Sequence, residues 1–99
     1  MKHRILIVET EIRLFASGSL KDKRQLQQKI VDKLKTSHNI SVAVTKQQEL
    51  WNVIGLTIAY VALEQKAALQ KASALEKNIC RILEQDGSGE VSCFYTEII

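Results

Sequence analysis

The hydrophobic period along this chain switches between two residues and about 3.6, and the order of those switches limits the fold more than any other feature. Residues 4–15 alternate: Leu6, Val8, Thr10, Ile12 and Leu14 share one face, and Ile5, Ile7, Glu9, Glu11 and Arg13 the other. That pattern predicts a half-buried strand with the even-numbered set inward. Ala16-Ser17-Gly18 breaks it, and Ser19 is placed to cap a helix, with Asp22 at the capping-box position. Leu20, Leu26, Ile30, Val31 and Leu34 then make one helical stripe, while Lys21, Gln25, Gln28, Lys29, Asp32 and Thr36 face away. Lys23 and Arg24 fall at the edges of the stripe, where long stems can cover apolar surface while their heads reach water. The helix ends at Ser37-His38-Asn39, with Asn39 suited to the C′ position.

Ile40 to Thr45 reads as a second strand, and Lys46 to Trp51 as a polar hairpin connection. Val53 to Leu63 is apolar on both faces, as a covered central strand is. Gly55 inside it predicts a bulge or a close backbone approach. Glu64 to Glu84 is a second helix, with Ala68, Leu69, Ala72, Leu75, Ile79, Ile82 and Leu83 as its stripe. Asp86 to Gly89 is a turn, and Glu90 to Ile98 the last strand. The order βαββαβ is the split-βαβ arrangement. The expectation is an α+β, ferredoxin-like single domain over residues 1–99. Its four-stranded antiparallel sheet would carry both helices on one face.

Composition agrees. Leu, Ile, Val and Phe supply 31 of 99 residues, above the roughly 20% below which charged chains stay disordered. The longest uncharged run, Leu50 to Leu63, has 14 residues, short of the roughly 20 that span a bilayer. No membrane partner is expected. Glu9 interrupts the first apolar run, which argues against a signal peptide, and two unpaired cysteines fit a reducing cytoplasm. Cys80 and Cys93 have no metal-ligand spacing with His3 or His38, so they read as buried or half-buried free thiols, and no metal or cofactor is expected.

Charge is uneven. Residues 1–50 carry ten Lys or Arg against five acids, and residues 51–99 four against six. The first helix concentrates the excess in Lys21, Lys23, Arg24, Lys29, Lys33 and Lys35. Base stacking on the sheet is disfavoured, because the outward set on the first strand is Ile5, Ile7, Glu9 and Glu11, and Tyr60 is the only aromatic of the third. An acylphosphatase-like anion cradle around Ala16 to Ser19, with Lys21, Lys23 and Arg24, lacks a second catalytic group. The lone Trp51, with Ile5 and Ile7, is a candidate interface anchor.

Ser19-Leu20-Lys21-Asp22-Lys23-Arg24 resembles the SLKxKR signature of the YlxP-like family of bacterial domains of unknown function. Asn39 to Ala43 is similar to that family's NVSVA strand, Gln48-Glu49-Leu50-Trp51 to its QDLW stretch, and Leu56 to Ala59 to its LGVA run. Val44, Thr45 and Lys46 depart from the Glu, Val and Asp usual there. The resemblance implies a ferredoxin-like fold, a cytoplasmic bacterial protein and a partner in RNA or the ribosome, with no established reaction.

Two functions follow as expectations. In the first, the chain is a binding module for structured RNA or a ribosome, and the six cations of the first helix contact phosphates. In the second it is a structural or regulatory homodimer without nucleic-acid affinity, in which Lys23 and Arg24 pair with Glu76 or Glu49. A small-anion hydrolase is third.

Overall fold

In the computed structural model, which describes residues 2–99, the elements follow the expected order. They are β1 (Arg4–Leu14), α1 (Leu20–Ser37), β2 (Ser41–Lys46), β3 (Val53–Ala62), α2 (Gln65–Asp86) and β4 (Gly89–Ile98). The four strands form one antiparallel sheet in the order β2-β3-β1-β4. This is the ferredoxin-like α+β arrangement.

The even-numbered face of β1 is the buried one. Leu6, Val8, Ile12 and Leu14 join Ile54, Leu56 and Ile58 of β3 beneath Ile30 and Leu34 of α1 and Leu75, Ile79 and Leu83 of α2. Thr10 sits among them because its hydroxyl donates to the Cys93 carbonyl at 2.8 Å, which satisfies the buried polar group. The other face of the sheet bears Ile5, Ile7, Glu9, Glu11 and Arg13, and no element among the described residues covers it.

Gly55 meets both of its expectations. The β2–β3 register slips between Val44 and Lys46, which is a bulge, and a Cβ on Gly55 would stand 2.7 Å from the Lys46 carbonyl oxygen. The helix ends differ from the sequence reading. α1 leaves through an extended His38 rather than a left-handed Asn39. α2 runs two residues further, to Asp86, and stops where Gly87 adopts φ 59°; the Gly87 and Ser88 N–H groups then bond the Glu84 and Leu83 carbonyls.

Candidate nucleic-acid interface

Three connections meet at one end of the sheet: β1 to α1, β2 to β3, and α2 to β4. The Leu14 N–H donates to Asn52 O at 2.8 Å, and the Phe15 N–H to Ser88 O at 3.0 Å, which ties the three together. We refer to this end as the tip. The opposite end carries the α1–β2 and β3–α2 connections.

The start of α1 forms at the tip as its residues dictate. Ser19 is extended, and its hydroxyl accepts the Asp22 N–H at 3.1 Å, satisfying one of the free donors of the first turn. One turn on, the helix buries a cation that helical spacing alone places at the edge of the apolar stripe. Lys23 is only 1% exposed. Its Nζ donates to the carbonyls of Gln47 and Leu50, each at 2.5 Å, across the β2–β3 loop. The expectation that its head reaches water, or pairs with Glu49 or Glu76, is corrected: the partners are backbone carbonyls. Burial, followed by the neighbouring Arg24 charge, lowers its pKa from the usual 10.5.

The loop is fixed from both sides. Gln47 takes a left-handed φ of 60°, its carbonyl also accepts the Leu50 N–H at 3.2 Å, and its side-chain amide donates to Glu11 at 3.1 Å. A non-glycine residue holds such a backbone only where its surroundings enforce it. Held this way, the loop displays Leu50 and Trp51; Trp51 is 51% exposed, and Phe15 is exposed at the same end beneath the Arg13 guanidinium, 5.5 Å from its ring centre. Lys21 and Arg24 are exposed on the neighbouring turns of α1. Arg24 shares with Lys23, Gln27, Val44 and Gln48 a hollow of about 310 Å³ between α1 and the loop.

The six cations of α1 therefore do not form one surface. Lys29 is bonded to Asp86 at the end of α2. That bond, more than the Lys29 and Lys33 charges, holds the Asp86 carboxyl below its usual 3.8, against a smaller opposing effect of burial. Lys33 is half-buried in a groove between the helices with Asn78 and Arg81. Lys35 is exposed in the last turn, where a cation complements the helix dipole. Ile5 and Ile7 lie half-buried on the outer sheet face near the start of β1, roughly 25 Å of strand away from the tip that carries Trp51. They and Trp51 do not share one patch.

The Ala16 to Ser19 loop does not form the expected anion cradle. The groove beside it is lined by Leu14, Ala16, Ser17, Asp22, Leu26, Asp86, Gly87 and Ser88. Its two carboxylates oppose a phosphoryl anion, and Lys23 points elsewhere. His38 joins the helices: its Nε2 lies 3.1 Å from Asn78 Oδ1, and its Nδ1 lies 3.2 Å from Lys71 Nζ. Lys71 also sits 4.9 Å from the centre of the Tyr60 ring, on the helix side of the sheet, so no aromatic of a central strand faces outward for base stacking. Cys80 is half-buried, as expected, but Cys93 is exposed. Burial, with Glu76 and Glu84 nearby, pushes the Cys80 thiol up, which makes it a poor nucleophile. Among the described residues no group of His, Cys, Asp and Glu could hold a metal ion, and no helix is long and apolar enough to cross a membrane.

The fold and this tip define a ferredoxin-like α+β protein whose Ser19–Arg24 segment and Gln48–Trp51 loop are joined by one buried lysine. The chain belongs to the family described as a protein of unknown function, DUF503, whose model matches residues 5–93. That span takes in both parts of the tip. No curated protein matches the chain.

Proposed function

We propose that the protein is a binding module for structured RNA, such as that of a ribosome, which docks through the tip. The observation that carries this reading is the pairing of exposed Lys21 and Arg24 with a rigidly held loop that presents Trp51. Basic side chains would contact phosphates and fix orientation, and an exposed indole offers a stacking surface for an unpaired base. The loop needs no ordering on binding, which removes part of the entropic cost of association. Lys35 would add long-range attraction, while Lys29 and Lys33 contribute less because Asp86 faces them. Lys23 serves indirectly, by holding the loop. A cytoplasmic location follows from this reading.

Co-sedimentation with purified bacterial ribosomal subunits across a salt series tests it. Retention should fall steeply as salt rises, with each phosphate contact adding about −0.7 to −0.9 to the log–log slope. The Lys21→Glu/Arg24→Glu double variant should lose retention; the Lys29→Glu/Lys33→Glu variant should keep most of it. Trp51→Ala should weaken binding without changing the salt slope. No retention at low salt would sink the proposal, as would equal losses in the two double variants.

A further inference from the structure

The two edges of the sheet are built differently. β2 spans six residues, slips register at a bulge and ends in Lys46, which pairs with Glu9 at 3.4 Å. Short length, a bulge and a lysine are the devices that keep an edge from pairing with another chain. β4 has ten residues, Gly89–Ile98, with no Lys and no Pro, and Val91 to Thr96 is an uncharged run of mostly strong strand formers. Its one irregularity lies toward its start, where Ser92 is the extra residue between partners of Glu11 and Ile12.

The free groups of this edge can be assigned. Ile5 and Ile99 exchange both backbone bonds, at 2.8 and 3.0 Å. In an antiparallel ladder such doubly bonded pairs alternate with unbonded ones. Ile7 with Glu97, Glu9 with Tyr95 and Glu11 with Cys93 therefore bond inward. Phe94, Thr96 and Ile98 turn their N–H and C=O groups to the open edge.

We propose that β4 pairs antiparallel with β4 of a second copy of this chain, about a two-fold axis through Thr96 perpendicular to the sheet. The sequence is self-complementary in that register. Thr96 meets its own copy and Phe94 meets Ile98, so every outward backbone group from Phe94 to Ile98 gains a partner. On the outer face Tyr95, 53% exposed, lies opposite Glu97, and Cys93 opposite Ile99; no carboxylate faces a carboxylate. Glu90 and Glu97 on the strand, with Glu9 and Glu11 on the adjoining face, disfavour a polyanion as the occupant. The result is one continuous sheet with all helices on one side and the two tips at opposite ends. It goes beyond the proposed function and uses none of the tip residues.

Sedimentation velocity from about 1 to 500 µM tests the proposal, a range that brackets weak edge-to-edge association. A reversible dimer is expected. Thr96→Pro removes an N–H that the ladder to β1 does not use, which proline tolerates on an edge, so the monomer should keep its circular dichroism spectrum while association weakens at least about tenfold. A monomer throughout the range overturns the proposal, and so does a dimer indifferent to Thr96→Pro. If Thr96→Pro does not fold, Thr96→Cys in a Cys80→Ser/Cys93→Ser background decides. A short reagent that links two thiols should join two copies, because the Cβ atoms of residues facing each other across the axis lie about 5.5 Å apart. Failure to cross-link overturns the register.

Discussion

The two halves of α1 carry three cations each, and the structure treats them in opposite ways. At the C-terminal half two of the three charges meet another helix: Lys29 bonds Asp86 and Lys33 lies within its influence, while Lys35 faces solvent in the last turn. At the N-terminal half no carboxylate answers Lys23. Its ammonium is buried against two carbonyls, while Lys21 and Arg24 stay exposed. A surface ion pair can break and re-form with little cost. A buried ammonium cannot leave its carbonyls without exposing the cavity it fills. The first half is thus a fixed frame and the second a screened surface.

The largest effect that separates the halves is expected from Lys23→Met, which keeps the stem and deletes both hydrogen bonds. Thermal or urea unfolding should show a loss of about 2–3 kcal/mol, the range for charged hydrogen bonds in a buried setting. Lys21→Met, two residues away and exposed, should stay within about 0.5 kcal/mol of wild type. The pH dependence has a defined sign. Because the folded-state pKa of Lys23 lies below the usual 10.5, burial of the cation penalises the fold fully at neutral pH. That penalty is relieved as pH rises through the lowered pKa toward 10.5. The stability difference between wild type and Lys23→Met should therefore widen in wild type's favour over that alkaline window. A narrowing difference would mean that the carbonyls stabilise the cation more than burial disfavours it.

The frame has a second fixing point at Gly55, where β3 meets the bulge that leads into the loop. An added Cβ would stand 2.7 Å from the Lys46 carbonyl oxygen and 2.8 Å from its Cβ. Backbone cannot yield as a flexible side chain does, so Gly55→Ala should cost about 1–3 kcal/mol. It should also shift the Trp51 emission spectrum, because the loop that carries the indole moves with Lys46. A stable Gly55→Ala variant with unchanged Trp51 emission would show that the loop depends on Lys23 alone.

The contrast also explains which parts could be read from the residues. Element order, the inward set of β1, the Ser19 cap and the close approach at Gly55 follow from period and backbone sterics, which act over a few neighbours. Lys23 did not yield to that approach. At the edge of a helical stripe a lysine ordinarily extends to water, and the two carbonyls that capture it lie 24 and 27 residues away. The one available signal was the likeness of both Ser19–Arg24 and Gln48–Trp51 to a single family, which tied the two segments together without giving their contact. The Lys29–Asp86 bond joins residues 57 apart and was equally hidden, since spacing within α1 marked Lys29 only as outward-facing. The open β4 edge is hidden in the residues for another reason. An edge is defined by which neighbour a strand lacks, and that depends on the order of the whole sheet.

The smallest expected effect tests the other side of the comparison. Asp86 is exposed, and its carboxyl sits below the usual 3.8 chiefly through the hydrogen bond from Lys29. A depressed carboxyl contributes stability that is present above the unfolded value and lost as pH falls through the folded one. Lys29→Gln should therefore lower the urea midpoint slightly at neutral pH. That difference should vanish in acid, and it should also shrink with added salt, since both partners are solvent-accessible. Lys23→Met should show neither behaviour: its defect should persist in acid and resist salt, because the ammonium it lacks was shielded from both. Should Lys29→Gln prove as costly as Lys23→Met, and as insensitive to salt, the groove between the helices would be a second fixed frame. The division of α1 into a rigid start and a screened end would then fail.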